Sequence, residues 1–202
     1  MRLNSSLVAG IIALSTGLAS LQPPTEASIA PVAVQVTTFY DRCMPLADLI
    51  SKGEGNWNSV NRGRAGDTPG GIVRVAGRTF AEMTIEEVLW LQRGSVYAVG
   101  RYQFIPSTLR MAVKWAGLSW STKFTNETQN KLFCALLKHK RPAIGEYLMG
   151  RGSLGEALVA LAKEWASIEY HAGRGYYDGI GGNRAHVTRH EATIALNAGR
   201  AL

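Results

Sequence analysis

Helix boundaries recur along the chain after residue 80, and this pattern constrains the fold more than any other feature. Each is a Thr, Asn or Ser followed three residues later by Glu or Gln, or a proline suited to a first helical turn. They occur at Thr84 with Glu87, Pro106, Asn126 with Gln129, Ser153 with Glu156, and Thr188 with Glu191. The chain therefore predicts a mostly helical domain.

One β element is predicted between the first helix and these later ones. The first helix covers Met44–Ser51 and ends at Gly53 and Gly55. The stretch GIVRVAGRTF, Gly71 to Phe80, combines β-branched residues with a Gly77 turn and predicts a short hairpin. The expected fold class is α+β, mostly helical, with a small β-hairpin lobe inserted after the first helix.

The N-terminus has the pattern of a secretory signal peptide. Arg2 precedes an apolar stretch from Leu7 to Ala19, and small residues suited to cleavage follow, up to Ala27. The predicted division is a signal peptide at 1–27, a tether at 28–40 and one domain at 41–202. An uncleaved N-terminal anchor is the alternative. The mature protein is expected to be periplasmic or secreted, with no stable membrane insertion after cleavage.

The chain is basic, with a formal net charge of +7. Outside the cytoplasm such a charge favours anionic polymers, such as cell wall, lipopolysaccharide or membrane surfaces. Nucleic acid is the other common partner of a basic chain. However, the Lys and Arg residues are scattered, and a signal peptide argues against DNA, so no nucleic-acid partner is expected.

Two cysteines, Cys43 and Cys134, are present. In an oxidising compartment two cysteines in one domain can pair, and we predict a disulfide between them. Closing so long a loop stabilises a fold by ~4–5 kcal/mol on the chain-entropy model. Two buried free thiols are the alternative.

Glu54 is the most conspicuous carboxylate. Leu46, Ile50 and Glu54 are spaced i, i+4 and i+8, so Glu54 continues the apolar face of the first helix. Burial and the C-terminal end of the helix dipole both raise the pKa of a carboxyl, as a general acid requires. If the helix stops before Gly53, Glu54 is an ordinary loop residue.

Other candidate sites are weaker. Asp67 is a loop acid between Glu54 and the predicted hairpin, and it is either a second carboxylate or a turn former. His186 and His190 have i, i+4 spacing, but no HExxH pattern or third ligand accompanies them. No metal or other cofactor is expected.

Three segments carry a resemblance to a known family. They are ISKGEG at 50–55, AVGRYQFIPSTL at 98–109 and GEYLMGRGSLGEALVALAKEWASI at 145–168. In this order they resemble the lysozyme-like lytic transglycosylases related to the phage lambda endolysin, and the likeness covers about 41 to 178. GRYQ, at 100–103, and WAS, at 165–167, are its strongest pieces.

The resemblance implies a lysozyme-like fold with a glycan-binding cleft and a catalytic glutamate at Glu54. Family members cleave the β-1,4 bond between N-acetylmuramic acid and N-acetylglucosamine, and the muramic 6-hydroxyl attacks to form a 1,6-anhydro end. Tyr102 and Gln103 match positions that line the cleft. Gly53 stands where the family often has Ser, which leaves hydrolysis by a muramidase as an alternative.

The residue chemistry fits a sugar ligand. Trp57 and Tyr102 offer flat apolar faces for stacking on sugar rings. Asn61 and Gln103 offer neutral hydrogen bonds to hydroxyl and N-acetyl groups. The expected partners are peptidoglycan glycan strands, and an envelope-spanning secretion machine is one candidate context. A non-catalytic wall-binding or secretion-helper protein on the same fold is the alternative function.

Overall fold

The computed structural model describes residues 37–63 and 68–202. The predicted signal peptide and residues 28–36 of the tether lie outside these ranges. The helices are α1 Phe39–Glu54, α2 Gly71–Ala76, α3 Ile85–Leu91, α4 Pro106–Trp115, α5 Asn126–His139, α6 Pro142–Leu148, α7 Leu154–Ala162 and α8 Arg189–Ala201, with a 3-10 turn at Phe80–Glu82. The strands are β1 Val60–Asn61, β2 Ala98–Val99, β3 Glu169–His171 and β4 Arg174–Gly175. The predicted α+β, mostly helical class is confirmed.

Helix α1 is longer than predicted at both ends. It begins at Phe39, because Thr38 and Asp41 form a capping box in which each side chain bonds the other residue's backbone N–H. Residues 39 and 40, at the end of the predicted tether, thus lie in this helix. Pro45 lies inside the helix rather than in its first turn. At the other end the helix continues through Glu54.

The predicted hairpin at 71–80 is wrong. Residues 71–76 form α2, between Gly70 and Gly77, which both have left-handed backbone conformations. Only Ile72 of the β-branched residues in this helix is fully buried, so burial does not alternate as a strand requires. The backbone N–H of Ile72 instead donates to the carbonyl of Asn58 at 2.8 Å.

The strands form two separate two-stranded sheets. β1 follows α1 and pairs antiparallel with the distant β2, with Val60 opposite Val99 and Asn61 opposite Ala98. β3 and β4 are also antiparallel and lie after α7. The β structure is therefore divided, and neither sheet is a hairpin directly after the first helix.

Most of the predicted helix starts are confirmed. Thr84 with Glu87 and Thr188 with Glu191 form capping boxes, and Ser153 accepts a hydrogen bond from the Glu156 backbone N–H. Pro106 is the first residue of α4.

Two helix boundaries differ from the prediction. α5 is capped by Thr125, whose side chain accepts from the Thr128 N–H, and Asn126 is its first residue. α3 ends at Leu91, before Gly94.

The core is made by apolar faces of the helices around α1 and α5. Four phenylalanines are among its largest fully buried side chains: Phe80, Phe104, Phe124 and Phe133. α1 packs against α5, α6 and α8. Within the described residues, no helix has the length and apolar content to cross a membrane.

Candidate active site

Glu54 is the last residue of α1, at the end of its apolar face. Ile50 and Leu46, one and two turns earlier, are fully buried, and Glu54 itself is half-buried. The helix stops at Gly55, whose φ of 148° favours glycine. A side chain there would also meet the Ser59 hydroxyl. The chain thus places one carboxyl at the edge of an apolar surface.

The Glu54 carboxyl is held by Ser167. The Ser167 hydroxyl donates to Glu54 Oε1 at 2.6 Å, and Ser167 is almost fully buried. Burial raises the pKa of Glu54 above its ordinary value, although hydrogen bonding by the Ser167 side chain and backbone and the charge of His186 lower it in part. The carboxyl therefore keeps its proton to a higher pH than an exposed glutamate.

Close packing explains why residue 53 is a glycine. A Cβ at this position would lie 2.6 Å from both Cβ and Oγ of Ser167, and 3.2 Å from Nε2 of His186. Real Cβ atoms do not approach other atoms as closely as 2.6 Å. The absence of a side chain on Gly53 thus makes room for the hydroxyl that bonds Glu54.

The GRYQ loop has three distinct roles. Arg101 ties the loop to α1, because its guanidinium donates to Asp48 Oδ1 at 2.7 Å and to the Ser51 hydroxyl at 3.0 Å. Tyr102 is buried, with its ring stacked on Phe133. The next residue of the loop lines the space beside Glu54.

That residue is Gln103. Its φ is 50°, a left-handed conformation that is unusual for a residue other than glycine. Such strained positions recur at functional sites. Its side-chain amide donates to the Gly100 carbonyl at 2.9 Å. The loop geometry therefore holds an amide beside Glu54.

The WAS segment joins the GRYQ loop to Glu54. Trp165 is buried, and its indole N–H donates to the Tyr102 carbonyl at 3.3 Å. Two residues later Ser167 bonds Glu54. The backbone N–H groups of His186 and Val187 both donate to the Ser167 carbonyl at 2.9 Å, which fixes the segment from the other side.

Two cavities meet at Glu54. The first, of about 420 Å³, extends past Tyr97, Ile105, Thr108, Lys140, Glu164 and Tyr177. The second, of about 460 Å³, extends past Lys52, Gly53, Gly55, Ser167, Arg184 and His186. Both are lined by Glu54, Asn61, Gln103, Ala166 and Asn183. The carboxyl thus faces space on the scale of a ligand pocket, bordered by neutral amides.

The predicted binding residues divide into two groups. Asn61 and Gln103 line both cavities, as a binding role requires. Tyr102 contributes to the wall of the first cavity, but the residue is only 2% exposed and its ring is stacked on Phe133, so it offers no free stacking face. Trp57 lines neither cavity, and the Arg101 guanidinium covers its ring at 4.5 Å. Asp67 lies outside the described residues.

The two cysteines are neighbours but not bonded. Cys43 and Cys134 are both buried free thiols, so the predicted disulfide is not formed. Burial and the neighbouring Cys134 raise the pKa of Cys43, which keeps this thiol protonated.

The histidine pair does not form a ligand set. His190 lies in α8, whereas His186 precedes the helix cap, so the two do not share a helical face. In the part of the chain that the structure describes, no group of three or more His, Cys, Asp or Glu residues could hold a metal ion.

Sequence reasoning missed several residues around Glu54. Ser167 stood within the WAS segment, but nothing in its local pattern indicated a bond to a residue 113 positions away. His186 was considered only as a metal ligand. Tyr97 and Asn183 line the cavities from a loop and a glycine-rich segment that show no periodic pattern.

The arrangement suits proton transfer to and from a bound ligand. Burial raises the pKa of one carboxyl, a buried hydroxyl orients it, and amide side chains adjoin it. No protein-family model, curated protein or solved structure matches this chain.

Proposed function

We propose that the protein cleaves peptidoglycan glycan strands at the β-1,4 bond between N-acetylmuramic acid and N-acetylglucosamine, with a lysozyme-like fold and a periplasmic or secreted location. The observation that carries this proposal is Glu54, half-buried, bonded by Ser167 and bordered by two cavities. In addition, ISKGEG, GRYQ and WAS, the segments that resemble lytic transglycosylases, meet at this point.

Glu54 acts first as a general acid. Its pKa is raised, so the carboxyl holds its proton to a higher pH than an exposed glutamate does, and this proton passes to the glycosidic oxygen as the bond to the muramic C1 breaks. The resulting carboxylate then acts as a base. It takes the proton from the oxygen that attacks C1, so the carboxyl ends the cycle protonated.

The attacking oxygen belongs to water in a muramidase and to the muramic 6-hydroxyl in a lytic transglycosylase. Among the described residues, the carboxylates lining the two cavities are Glu54 and Glu164. Glu164 is engaged by Lys140 and Arg141, each at 2.7 Å. Glu54 is thus the one unpaired carboxylate among the described cavity residues, which favours attack by the 6-hydroxyl, since that reaction needs no second carboxylate to activate a water.

The departure from the family at Gly53 fits the same proposal. Relatives often carry a serine immediately before the glutamate. Here the Ser167 side chain occupies the space that a residue 53 side chain would need. We propose that Ser167 supplies the hydroxyl that Gly53 lacks.

The test is cleavage of purified peptidoglycan by the native protein and by Glu54→Gln. The amide keeps the shape but cannot donate the acid proton, so activity should fall at least about 100-fold. Glu146→Gln, on the exposed surface of α6, is the matched control and should retain activity.

The mass of the products identifies the nucleophile. Anhydro ends are lighter than reducing ends by one water. Full activity of Glu54→Gln would refute the assignment. If the native protein binds peptidoglycan but releases no fragments, the proposal of an enzyme is refuted in favour of a wall-binding protein.

A further inference from the structure

The second cavity carries positive charge directly beside Glu54. Lys52 lies in the last turn of α1, two residues before Glu54, and Arg184 and His186 approach from the segment before α8. Among the described residues that line this cavity, Glu54 is the one carboxylate. The cavity therefore has an excess of basic side chains.

Two of these basic groups, Lys52 and Arg184, lack an ion-pair partner among the described residues. Neither Lys52 nor Arg184 forms an ion pair there. Glu191 is near enough to Lys52 to be influenced by it, yet its carboxylate accepts hydrogen bonds from the backbone and hydroxyl of Thr188. The two cations thus remain available to a ligand.

The backbone around Ser167 holds this charged segment in place. The His186 N–H donates to the Ser167 carbonyl, and His186 Nδ1 lies 3.3 Å from the Arg184 carbonyl oxygen. Nε2 then points toward Gly53. Because Ser167 also bonds Glu54, the basic groups and the carboxyl share one support. A group bound by these cations would belong to a sugar at or next to the cleaved bond.

We infer that the second cavity binds the carboxylate substituent of a muramic acid residue next to the cleaved bond. This inference rests on the proposed function. The carboxylate is either that of the lactyl group itself, in strands without peptide, or that of an attached peptide stem. Lys52 and Arg184 bind it by charge-assisted hydrogen bonds, and His186 offers a further donor. The cavity thereby distinguishes peptidoglycan from neutral chitin.

Binding to the full-length Glu54→Gln protein tests the inference without turnover. The probes are a neutral chitin tetrasaccharide, a peptidoglycan tetrasaccharide with free lactyl carboxylates, and the same tetrasaccharide with peptide stems. Adding Lys52→Gln and Arg184→Gln should weaken binding of a carboxylate-bearing probe about 10-fold, on typical strengths of charged hydrogen bonds. Affinity for chitin should stay within about twofold, since its sugars carry no charge. The probe that loses affinity identifies the source of the carboxylate.

The control removes two positive charges elsewhere. Arg110→Gln with Lys114→Gln, on the exposed side of α4, should leave all three affinities unchanged. Equal losses for chitin and the charged probes, or no loss for either charged probe, would overturn the inference. Absence of binding to every probe would also overturn it. Cleavage by the native protein is measured separately, so a failed activity does not decide the binding result.

Discussion

The two cavities that meet at Glu54 use their positive charges differently. In the first, Lys140 and Arg141 are both paired with Glu164, whose side chain is only 7% exposed, and the Lys163 ammonium lies 5.5 Å from the centre of the Tyr176 ring. In the second, Lys52 and Arg184 form no ion pair within the described residues. The charges of the first cavity hold its wall together, whereas Lys52 and Arg184 in the second have no such structural role among the described residues.

Breaking the Glu164 pairs should have the largest effect on stability. Glu164→Gln removes the buried charge that both Lys140 and Arg141 contact, and leaves two partly buried cations without an anion. Loss of one partner from such a buried network should lower the free energy of unfolding by about 2–3 kcal/mol. Urea denaturation of the two proteins measures this difference.

An exposed ion pair provides the matched control. Glu146 pairs with Arg151 at 2.5 Å, but half or more of each side chain is exposed to solvent. Glu146→Gln should therefore change stability little, because water screens such a pair. Equal destabilisation by the two substitutions would show that the first cavity does not depend on its buried charges.

Removing the Ser167 hydroxyl should change activity more than folding. Ser167→Ala deletes the donor at 2.6 Å from Glu54 Oε1, and kcat/KM on peptidoglycan should fall about 10- to 100-fold. Because the Ser167 hydrogen bond lowers the pKa of Glu54, its loss should raise that pKa further. The alkaline limb of the pH–rate profile should then move to higher pH.

A double variant distinguishes positioning of the Glu54 carboxyl by Ser167 from a general disturbance of the fold. If Ser167 acts through Glu54, Glu54→Gln with Ser167→Ala should have the same residual activity as Glu54→Gln alone. An unmoved alkaline limb in Ser167→Ala, or a further loss of activity in the double variant, would contradict the positioning role.

The helices could be predicted because their signals are local. A cap such as Thr84 with Glu87 needs only four residues, and the structure confirms it. The hairpin prediction was wrong because strand pairing here is not local. The two-residue strands β1 and β2 lie nearly forty positions apart and contain too few residues to show alternation. Glycines at 70 and 77, meanwhile, bracket a single short helix whose valines resemble a strand.

The site was predictable in part. Helical spacing placed Glu54 on the apolar face of α1, and the structure extends the helix that far. The partner of its carboxyl, Ser167, comes from a distant segment, and only tertiary packing brings the two together. Tyr102 shows that the sequence also does not tell a ligand-facing aromatic from a buried one, since its ring lies beside a cavity but is packed against Phe133.

The smallest expected effect is a pH-dependent stability change at Glu54. Its pKa in the folded state is raised above the ordinary 4.5, so the folded protein holds this proton more tightly than the unfolded chain. Stability should therefore fall as the pH rises from about 4.5 through the folded-state pKa. Glu54→Gln removes this cost, and its stability advantage over the native protein should be absent at low pH and grow toward neutrality.

Glu127 supplies the control of opposite sign. The Lys131 hydrogen bond and charge lower the pKa of Glu127, so its contribution to stability is present above the unfolded-state value and lost as the pH falls. Glu127→Gln should therefore show a deficit that appears as the pH rises. Urea denaturation of the three proteins between pH 4 and pH 8 measures both trends. A Glu54→Gln advantage that does not change with pH would mean that the Glu54 carboxyl is as easily ionised as an exposed one, and the general-acid role would lose its electrostatic basis.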